Sequence, residues 1–327
     1  MTSGGVQPVL LLSLPRSGST LLQRLLGAHS EVATAPEPWM LLPFLYALRP
    51  DDVYAEYGHR VAVSAVAEFL DRLPDGVEDY RMAVRDLATQ LYTKASYPSA
   101  RYFIDKTPRY ALVAEELLAV FPDAPVIVLW RNPLSVVTSI ADSWTEGRWM
   151  PYLHKADLFT SIERLTAAAP VAGSRMLTLR YEDLVLRPEE ELRRVVDHLG
   201  LAWDPAVLAN FGSISATGVV GDRRGAQAYA TVSADSLDRW KASVSSPVRK
   251  RWCRRYLNWI GHERLAMMGY DLLALQAQLD AVPSRPLLAA PDAALALKGM
   301  LHNALEPDII KRKLRLLPHW HRVQSHS

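Results

Sequence analysis

The sequence predicts an α/β fold in which helices flank a central parallel sheet and additional helices follow at the C-terminal end. Apolar segments of strand length alternate with segments of helical periodicity up to about residue 200. This alternation is typical of a parallel sheet that carries helices on both faces. The segments 9–13 and 125–130 are apolar nearly throughout, as expected for strands that are buried on both faces.

A loop of small residues, 14–20, joins the predicted first strand to a predicted helix over residues 20–27. In such a loop the backbone N–H groups and the positive end of the helix dipole both point at an anion. The loop also contains Arg16, whose planar guanidinium suits phosphate groups, but it lacks the Gly-Lys-Ser/Thr ending of nucleoside triphosphatases. We predict a P-loop-like anion site here; the alternative is an ordinary turn of an α/β domain.

Cationic side chains follow three of the predicted strands. Arg16 follows the first strand, Lys106 follows the strand over residues 101–105, and Arg131 follows the strand over residues 125–130. Parallel strands end at the same edge of a sheet, where open α/β sheets bind their ligands. The three cations are therefore expected to converge on one crevice that binds a polyanion. The alternative for each cation is a solvated position on the surface.

The remaining elements are predicted from apolar spacing and from the positions of prolines. Helices are predicted over residues 60–72, 81–95, 109–120, 133–143, 188–199 and 236–268, and a further strand over residues 175–179. Residues 212–234 are rich in Gly, Ser and Ala and are predicted to form a long loop, of the kind that often acts as a lid. We expect one domain over residues 1–278, followed by a linker and a helical tail over residues 279–327.

Composition argues against several classes of protein. The net charge of +2 gives no support for nucleic-acid binding. The single cysteine, Cys253, leaves no internal disulfide and no cysteine-rich metal site, and the nine histidines are scattered rather than spaced as metal ligands. No run of about 18 apolar residues is present, so no membrane-spanning helix is predicted. We expect a protein of the reducing cytoplasm without a secretory signal.

Motifs within residues 7–270 resemble those of the sulfotransferases that use 3′-phosphoadenylyl sulfate (PAPS), in particular the branch of protein-tyrosine, carbohydrate and bacterial sulfotransferases. The segments that carry the resemblance are residues 14–22, 105–108, 128–133 together with Ser139, 180–184 and 236–240. The resemblance implies a P-loop-like fold and the transfer of a sulfuryl group to a hydroxyl acceptor. It also implies PAPS as the co-substrate and no metal.

The resemblance further implies which residues bind the donor. These residues are Arg16, Ser17, Gly18, Ser19, Thr20, Arg131, Ser139, Tyr181 and Arg239. Arg16 and the N–H groups of the loop would hold the 5′-phosphosulfate, and Arg131 with Ser139, eight residues later, would bind the 3′-phosphate. Lys106 would reach the phosphosulfate or the leaving phosphate. Arg16 and Lys106 are therefore expected to be catalytic, since both would stabilise charge that develops during transfer.

The acceptor hydroxyl needs a general base, and family members use a glutamate or a histidine. The branch places its glutamate about 21 residues after the loop arginine, which points to Glu37 when the count starts at Arg16. Prolines on both sides hold this carboxylate stiffly; the alternative is a solvated loop glutamate. His59 and His154 are the other candidate bases, and His29 resembles a packing position of the branch.

Large apolar and aromatic residues flank the predicted site along the chain. They are Trp39, Met40, Phe44, Tyr46, Trp144, Trp149 and Tyr152. They could line a pocket for a small-molecule hydroxyl acceptor, and core packing is the alternative for each. A sugar, a phenol, a lipid or a natural product would all satisfy the chemistry.

Two other functions compete with this interpretation. A P-loop-like phosphotransferase is disfavoured by the absent Gly-Lys-Ser/Thr ending, and a non-catalytic nucleotide-binding module would be expected to show a degraded loop. The basic segment 311–317 could contact a membrane surface or a partner subunit, although a solvated helix face is favoured. The sequence is compatible with an oligomer.

Overall fold

The computed structural model of the chain describes residues 5–51, 53, 55, 57–214 and 232–305. Its strands are β1 (Gln7–Ser13), β2 (Val32–Thr34), β3 (Tyr102–Asp105), β4 (Val126–Trp130) and β5 (Met176–Arg180). They form one sheet with the order β2-β3-β1-β4-β5, and every neighbouring pair is parallel. The predicted α/β fold with a central parallel sheet is therefore confirmed.

Helices surround this sheet within the described residues. In chain order, α1 to α14 are Ser19–Gly27, Leu42–Tyr46, His59–Leu70, Val77–Ala95, Ala114–Val120, Pro133–Trp144, Ser161–Ala172, Tyr181–Leu186, Pro188–His198, Ala206–Ala209, Arg239–Ser243, Pro247–Met267, Leu272–Ala281 and Ala289–Leu305. Short 3-10 segments are Pro108–Val113, Pro151–His154, Gly173–Arg175, Phe211–Ser213, Ala234–Ser236 and Pro286–Leu288, and one π-helical turn is Ala156–Thr160.

The central strand β1 supplies both sides of the core, because successive side chains of a strand point to opposite faces. Leu10 and Leu12 pack into one apolar cluster with residues from α4, α5, α6, α7 and α12. Val9 and Leu11 pack into a second cluster with residues from α1, α8 and α9. Both faces of the sheet are therefore covered, which explains why the sequence of β1 shows no polar alternation.

The structure differs from the sequence prediction where a local pattern was weak. The three-residue edge strand β2 was not predicted, since it is too short to show a period. The helix α7 was also missed, because four alanines and the internal Pro170 obscure its apolar face. The predicted helix over residues 109–120 begins as a 3-10 turn and becomes α-helical only at Ala114.

The C-terminal part of the chain also departs from the predicted bounds. The predicted helix over residues 236–268 is two helices, α11 and α12, and α12 is interrupted at Gly261, where φ is +78°. The helix α13 crosses the predicted boundary between residues 278 and 279. Of the predicted loop over residues 212–234, the part from 215 to 231 lies outside the described residues, as does the predicted basic segment 311–317.

The additional C-terminal helices are fixed to the end of the sheet by polar contacts. Glu182, in α8, accepts a hydrogen bond from the Asn132 backbone N–H (3.0 Å) and one from the Tyr270 hydroxyl (2.6 Å). Arg249, in α12, forms two hydrogen bonds to the carboxylate of Asp292 in α14. No helix in the described part of the chain is long and apolar enough to cross a membrane.

Replacing Tyr270 by Phe tests the contact that joins the C-terminal helices to the sheet. The Tyr270 hydroxyl is the partner of a half-buried carboxylate, so its removal should lower the free energy of unfolding by about 1–2 kcal/mol. Urea unfolding followed by far-UV circular dichroism measures this change. The control is Tyr57→Phe, at a residue that is 70% exposed, and it should leave the unfolding curve in place. Equal curves for the two variants would show that the Tyr270 contact contributes nothing.

Candidate active site

The loop between β1 and α1 takes a backbone conformation that depends on glycine. Gly18 has a φ of +91°, and a Cβ atom at this position would lie 2.3 Å from the ring of Tyr181. Only glycine adopts this φ without strain and also allows so close an approach. Arg16 has a φ of +68°, which is uncommon for a residue with a side chain. The loop therefore turns sharply and directs the N-terminal end of α1 towards the edge of the sheet.

Four of the predicted donor-binding residues meet beside this loop. The Arg16 Nε donates a hydrogen bond to the Ser139 Oγ (3.2 Å), on α6. An Nη of Arg131 donates to the Arg16 carbonyl oxygen (3.0 Å), and the Arg131 guanidinium lies 4.4 Å from the centre of the Tyr181 ring. Three chain segments that follow β1, β4 and β5 thus build one cationic position, which we call the arginine cluster (Arg16, Arg131, Ser139 and Tyr181).

Ser236 also joins the arginine cluster, although sequence reasoning assigned it no role of its own. Its carbonyl oxygen accepts from Arg131 (3.3 Å), and its hydroxyl lies 2.9 Å from the Tyr181 hydroxyl. Arg239, three residues later, is exposed at the start of α11 and forms no hydrogen bond or ion pair with the described residues. The role of Arg239 stays a prediction.

A buried ion pair lies at the end of β3, on the other side of the loop. Lys106 is 1% exposed, and its Nζ donates to the Glu37 Oε1 at 2.7 Å. The same Nζ lies 3.5 Å from the Thr20 Oγ1, at the start of α1. The second oxygen of Glu37 accepts a hydrogen bond from the Trp39 indole N–H (3.1 Å). The predicted base, the predicted catalytic lysine and the loop are thus in contact, and we call the two charged residues the lysine–glutamate pair (Lys106 and Glu37).

The carboxylate next to Lys106 in the chain is fully buried. Asp105 accepts hydrogen bonds from the hydroxyls of Tyr92 (2.5 Å), Tyr110 (2.9 Å) and Thr107 (3.3 Å). Burial raises the pKa of Asp105 to about 6, although the three hydroxyls and the Lys106 charge oppose that rise. The sequence identified Asp105 only as the first residue of a motif, because nothing local indicates its three partners.

Several buried polar atoms near the loop lack a partner within the described residues. They include the Ser17 hydroxyl, in a residue with no exposure, and the Nε of Arg131. Buried donors without acceptors are costly in a folded protein. Two unsatisfied donors beside a glycine turn and a helix N-terminus fit an oxygen-rich anion such as a phosphate group.

The histidines named from the sequence lie in other contacts. The His59 Nε2 lies 2.7 Å from the Arg49 carbonyl oxygen at the start of α3. The His154 ring packs 5.0 Å from the Trp144 ring, and burial together with the Arg109 charge lowers its pKa. The structure shows no hydrogen bond from either ring to the lysine–glutamate pair.

His29 has a structural position, as its resemblance to a packing residue implied. Its Nδ1 accepts from the Glu31 N–H (3.1 Å), so its Nε2 is the protonated nitrogen and donates to the Ala202 carbonyl oxygen (2.9 Å).

Among the predicted acceptor-pocket residues, Trp39 contacts the lysine–glutamate pair. Met40, Phe44 and Tyr46 are partly buried against the apolar core, and Trp149 is buried within it. Trp144 is 43% exposed, and the Tyr152 ring packs against His302 at 5.3 Å. No cluster of three or more His, Cys, Asp or Glu side chains in the described part of the chain could hold a metal ion.

Comparisons with known proteins agree on one family. The model of the "Sulfotransferase family" matches residues 8–205. "Nodulation protein NoeE" of Sinorhizobium fredii is 31% identical over 290 residues, which cover 80% of this chain and 65% of that protein. The chain thus spans slightly less than two thirds of that relative. "Protein-tyrosine sulfotransferase 1" of Danio rerio is 25% identical over 272 residues, covering 80% of this chain and 72% of that protein.

A solved structure gives the same result. The "Sulfotransferase Domain from the Synechococcus PCC 7002 Olefin Synthase" superposes with a TM-score of 0.52 at 26% identity. The match covers 74% of this chain and 90% of that domain.

The Asp105→Asn variant isolates the pH dependence that the buried carboxylate contributes to stability. The pKa of Asp105 is raised in the folded protein, so protonation stabilises the fold: the contribution is complete below the unfolded pKa and is lost as the pH rises through about 6. Between pH 7 and pH 5 the wild type should gain about 1 kcal/mol of unfolding free energy relative to the Asn variant. Urea titrations at the two pH values measure the difference, and parallel pH profiles would contradict the raised pKa.

Proposed function

The chain belongs to the sulfotransferase family, and we propose that it transfers a sulfuryl group from PAPS to the hydroxyl of a small-molecule acceptor. The observation that carries the proposal is the pair of cationic positions on the two sides of one glycine turn. The arginine cluster lies on one side, and Lys106 with Thr20 lies on the other. A donor with one phosphate at its 3′ position and a phosphosulfate at its 5′ position needs two such positions.

The hydrogen-bond donors that lack a partner support PAPS as the co-substrate. Ser17 and the loop N–H groups would hold the 5′-phosphosulfate together with Arg16, at the start of α1. The Nε of Arg131 and the hydroxyl of Ser139 would bind the 3′-phosphate. Their present contacts hold both arginines in place before the donor arrives, which reduces the entropy lost on binding.

The lysine–glutamate pair supplies the groups that the chemistry requires. The donor provides an electrophilic sulfur: the acceptor oxygen forms a new bond to it while the bond to the 5′-phosphate oxygen breaks. Glu37 takes the acceptor proton, and Lys106 neutralises the charge that accumulates on the leaving phosphate oxygen. The 2.7 Å contact between the two side chains supports a role for both at one reaction centre.

The burial of the pair matters for this mechanism. Lys106 is 1% exposed, and the Glu37 side chain is 10% exposed. In such a site a fixed charge acts on the reacting atoms with little screening by water. The Trp39 indole holds the second oxygen of Glu37, so the carboxylate is oriented before the acceptor binds.

The nature of the acceptor stays a proposal, as does a cytoplasmic location. Trp39 is the aromatic residue that contacts the base, and an aromatic wall beside a base suits a sugar ring or a phenol. The names of the relatives add a tyrosine side chain of a protein as a second candidate acceptor, since it presents the same hydroxyl chemistry.

Binding of the two product-like nucleotides tests the donor. The protein should bind 3′-phosphoadenosine 5′-phosphate at least about tenfold more tightly than AMP, because AMP lacks the group that Arg131 and Ser139 would hold. Titration calorimetry measures both affinities. Ser139→Ala should lower the ratio of the affinity for 3′-phosphoadenosine 5′-phosphate to that for AMP. Ser143→Ala, one turn further along α6, should leave this ratio unchanged. Equal affinities of the wild type for the two nucleotides would argue against PAPS.

Transfer from a labelled donor tests the reaction and the base together. Incubation of the wild type with sulfur-labelled PAPS and a metabolite extract should give a labelled product that mass spectrometry identifies. Glu37→Gln should cut the rate by about 10²- to 10⁴-fold, since it removes the proton acceptor and keeps the shape. Its affinity for 3′-phosphoadenosine 5′-phosphate should stay near that of the wild type.

The control is Glu31→Gln, at a carboxylate that pairs with Arg101 on the surface, and it should transfer label normally. Normal turnover by Glu37→Gln would make Glu37 structural and leave His59 or His154 as the base. No labelled product from the wild type with any small molecule or protein acceptor would favour a non-catalytic nucleotide-binding module.

A further inference from the structure

The buried Asp105 connects to the segment that carries Glu37 through two hydroxyl groups. On one side, the Thr107 hydroxyl donates to the Asp105 Oδ1 (3.3 Å) and accepts from the Trp39 backbone N–H (3.3 Å). On the other side, the Tyr110 hydroxyl donates to the Asp105 Oδ2 (2.9 Å) and accepts from the Leu41 backbone N–H (3.3 Å). Asp105 is thus linked to two amides of one short segment.

The direction of these hydrogen bonds is fixed by chemistry. A backbone N–H can only donate, so the Thr107 and Tyr110 hydroxyls accept from it, and each keeps its own proton to donate to the ionised carboxylate of Asp105. The ionised carboxylate thus accepts at both oxygens. The Tyr92 hydroxyl adds a third donated bond to Asp105, and Lys106 is the neighbouring charge that favours the ionised form.

The segment that these bonds hold has an unusual backbone. Trp39 has a φ of +57°, in the left-handed region that a bulky side chain rarely enters. Such a conformation persists only where the surroundings determine it. Its indole N–H is the group that binds the second oxygen of Glu37, so the backbone of Trp39 decides where that oxygen is held.

We propose that Asp105 is a positioning residue that acts through Thr107 and Tyr110. It fixes the backbone of residues 39–41, and through the Trp39 indole it keeps the Glu37 carboxylate against Lys106. The proposal rests on the proposed function, because the orientation of Glu37 matters only if Glu37 is the base. It adds a requirement for polar core residues that need not touch donor or acceptor.

Two tyrosines provide a matched pair of variants. Tyr92 and Tyr110 both donate to the Asp105 Oδ2, and both are almost completely buried. Tyr92→Phe and Tyr110→Phe each remove one hydroxyl group that donates to the same carboxylate oxygen. Only Tyr110 also accepts from the Leu41 N–H. A purely structural role for Asp105 predicts similar effects of the two variants, whereas a positioning role predicts different ones.

Hydrogen exchange read by mass spectrometry tests the first part, on peptides within residues 36–46. In Tyr110→Phe the exchange at residues 39–41 should accelerate by about fivefold, the equivalent of one lost neutral hydrogen bond. Tyr92→Phe should leave this exchange unchanged, with thermal melts showing that both variants are folded. If Tyr110→Phe does not fold, Thr107→Val removes the other connecting hydroxyl and should accelerate exchange at the Trp39 amide.

Initial rates of label transfer test the second part, with sulfur-labelled PAPS varied at a fixed amount of metabolite extract. Tyr110→Phe should lower the rate at saturating donor by about tenfold with the KM for PAPS unchanged, as expected for a misplaced catalytic group. Tyr92→Phe should stay within about twofold of the wild type.

Equal exchange in the two tyrosine variants overturns the proposal, as does faster exchange in Tyr110→Phe with an unchanged rate. A wild type that transfers no label contradicts the proposed function instead. In that case the exchange data still decide whether the Tyr110 hydroxyl holds residues 39–41.

Discussion

The candidate site depends on the burial of the Lys106 ammonium group. A buried charge without a partner is strongly destabilising, so Lys106 at the end of β3 requires an anion within reach. Glu37 supplies it, and this requirement draws the proline-flanked segment after β2 over the ends of the strands. The same segment is also held through hydrogen bonds that lead to Asp105, the last residue of β3. One strand end thus sets both the cation and the position of its counter-ion.

Arg16 joins this region to the arginine cluster. Its side chain contacts Ser139 and its carbonyl oxygen holds Arg131, while the loop it belongs to continues into Thr20 beside Lys106. The two cationic positions are consequently parts of one continuous turn. A change in the path of that turn would alter the distance between the two cationic positions. The affinity for a donor with two anionic groups would depend on that distance.

Local pattern and the rules of parallel sheets were enough to predict the central strands and the residues at their ends. The continuous apolar runs of β1 and β4 identified buried strands, and the shared direction of their ends explains why Arg16 and Ser139, 123 residues apart, are in contact. The short strand β2 and the alanine-rich α7 show too weak a period. Tertiary packing creates the hydrogen bonds of Asp105, Trp39 and Ser236. These contacts leave no local pattern in the sequence from which they could be predicted. The residues that lie at the strand ends could therefore be predicted from the sequence, whereas the hydrogen bonds that hold them in position could not.

The contact between Glu182 and Tyr270 has a consequence for how the chain can be divided. Glu182 accepts a hydrogen bond from the backbone N–H of Asn132, the residue directly after Arg131. The family pattern ends at residue 205, whereas the tyrosine that completes this contact lies 65 residues further on. A fragment cut at the end of the family pattern would leave one oxygen of Glu182 without its partner beside the arginine cluster. The smallest fragment that keeps both hydrogen bonds of Glu182 therefore extends at least through α12 to Tyr270.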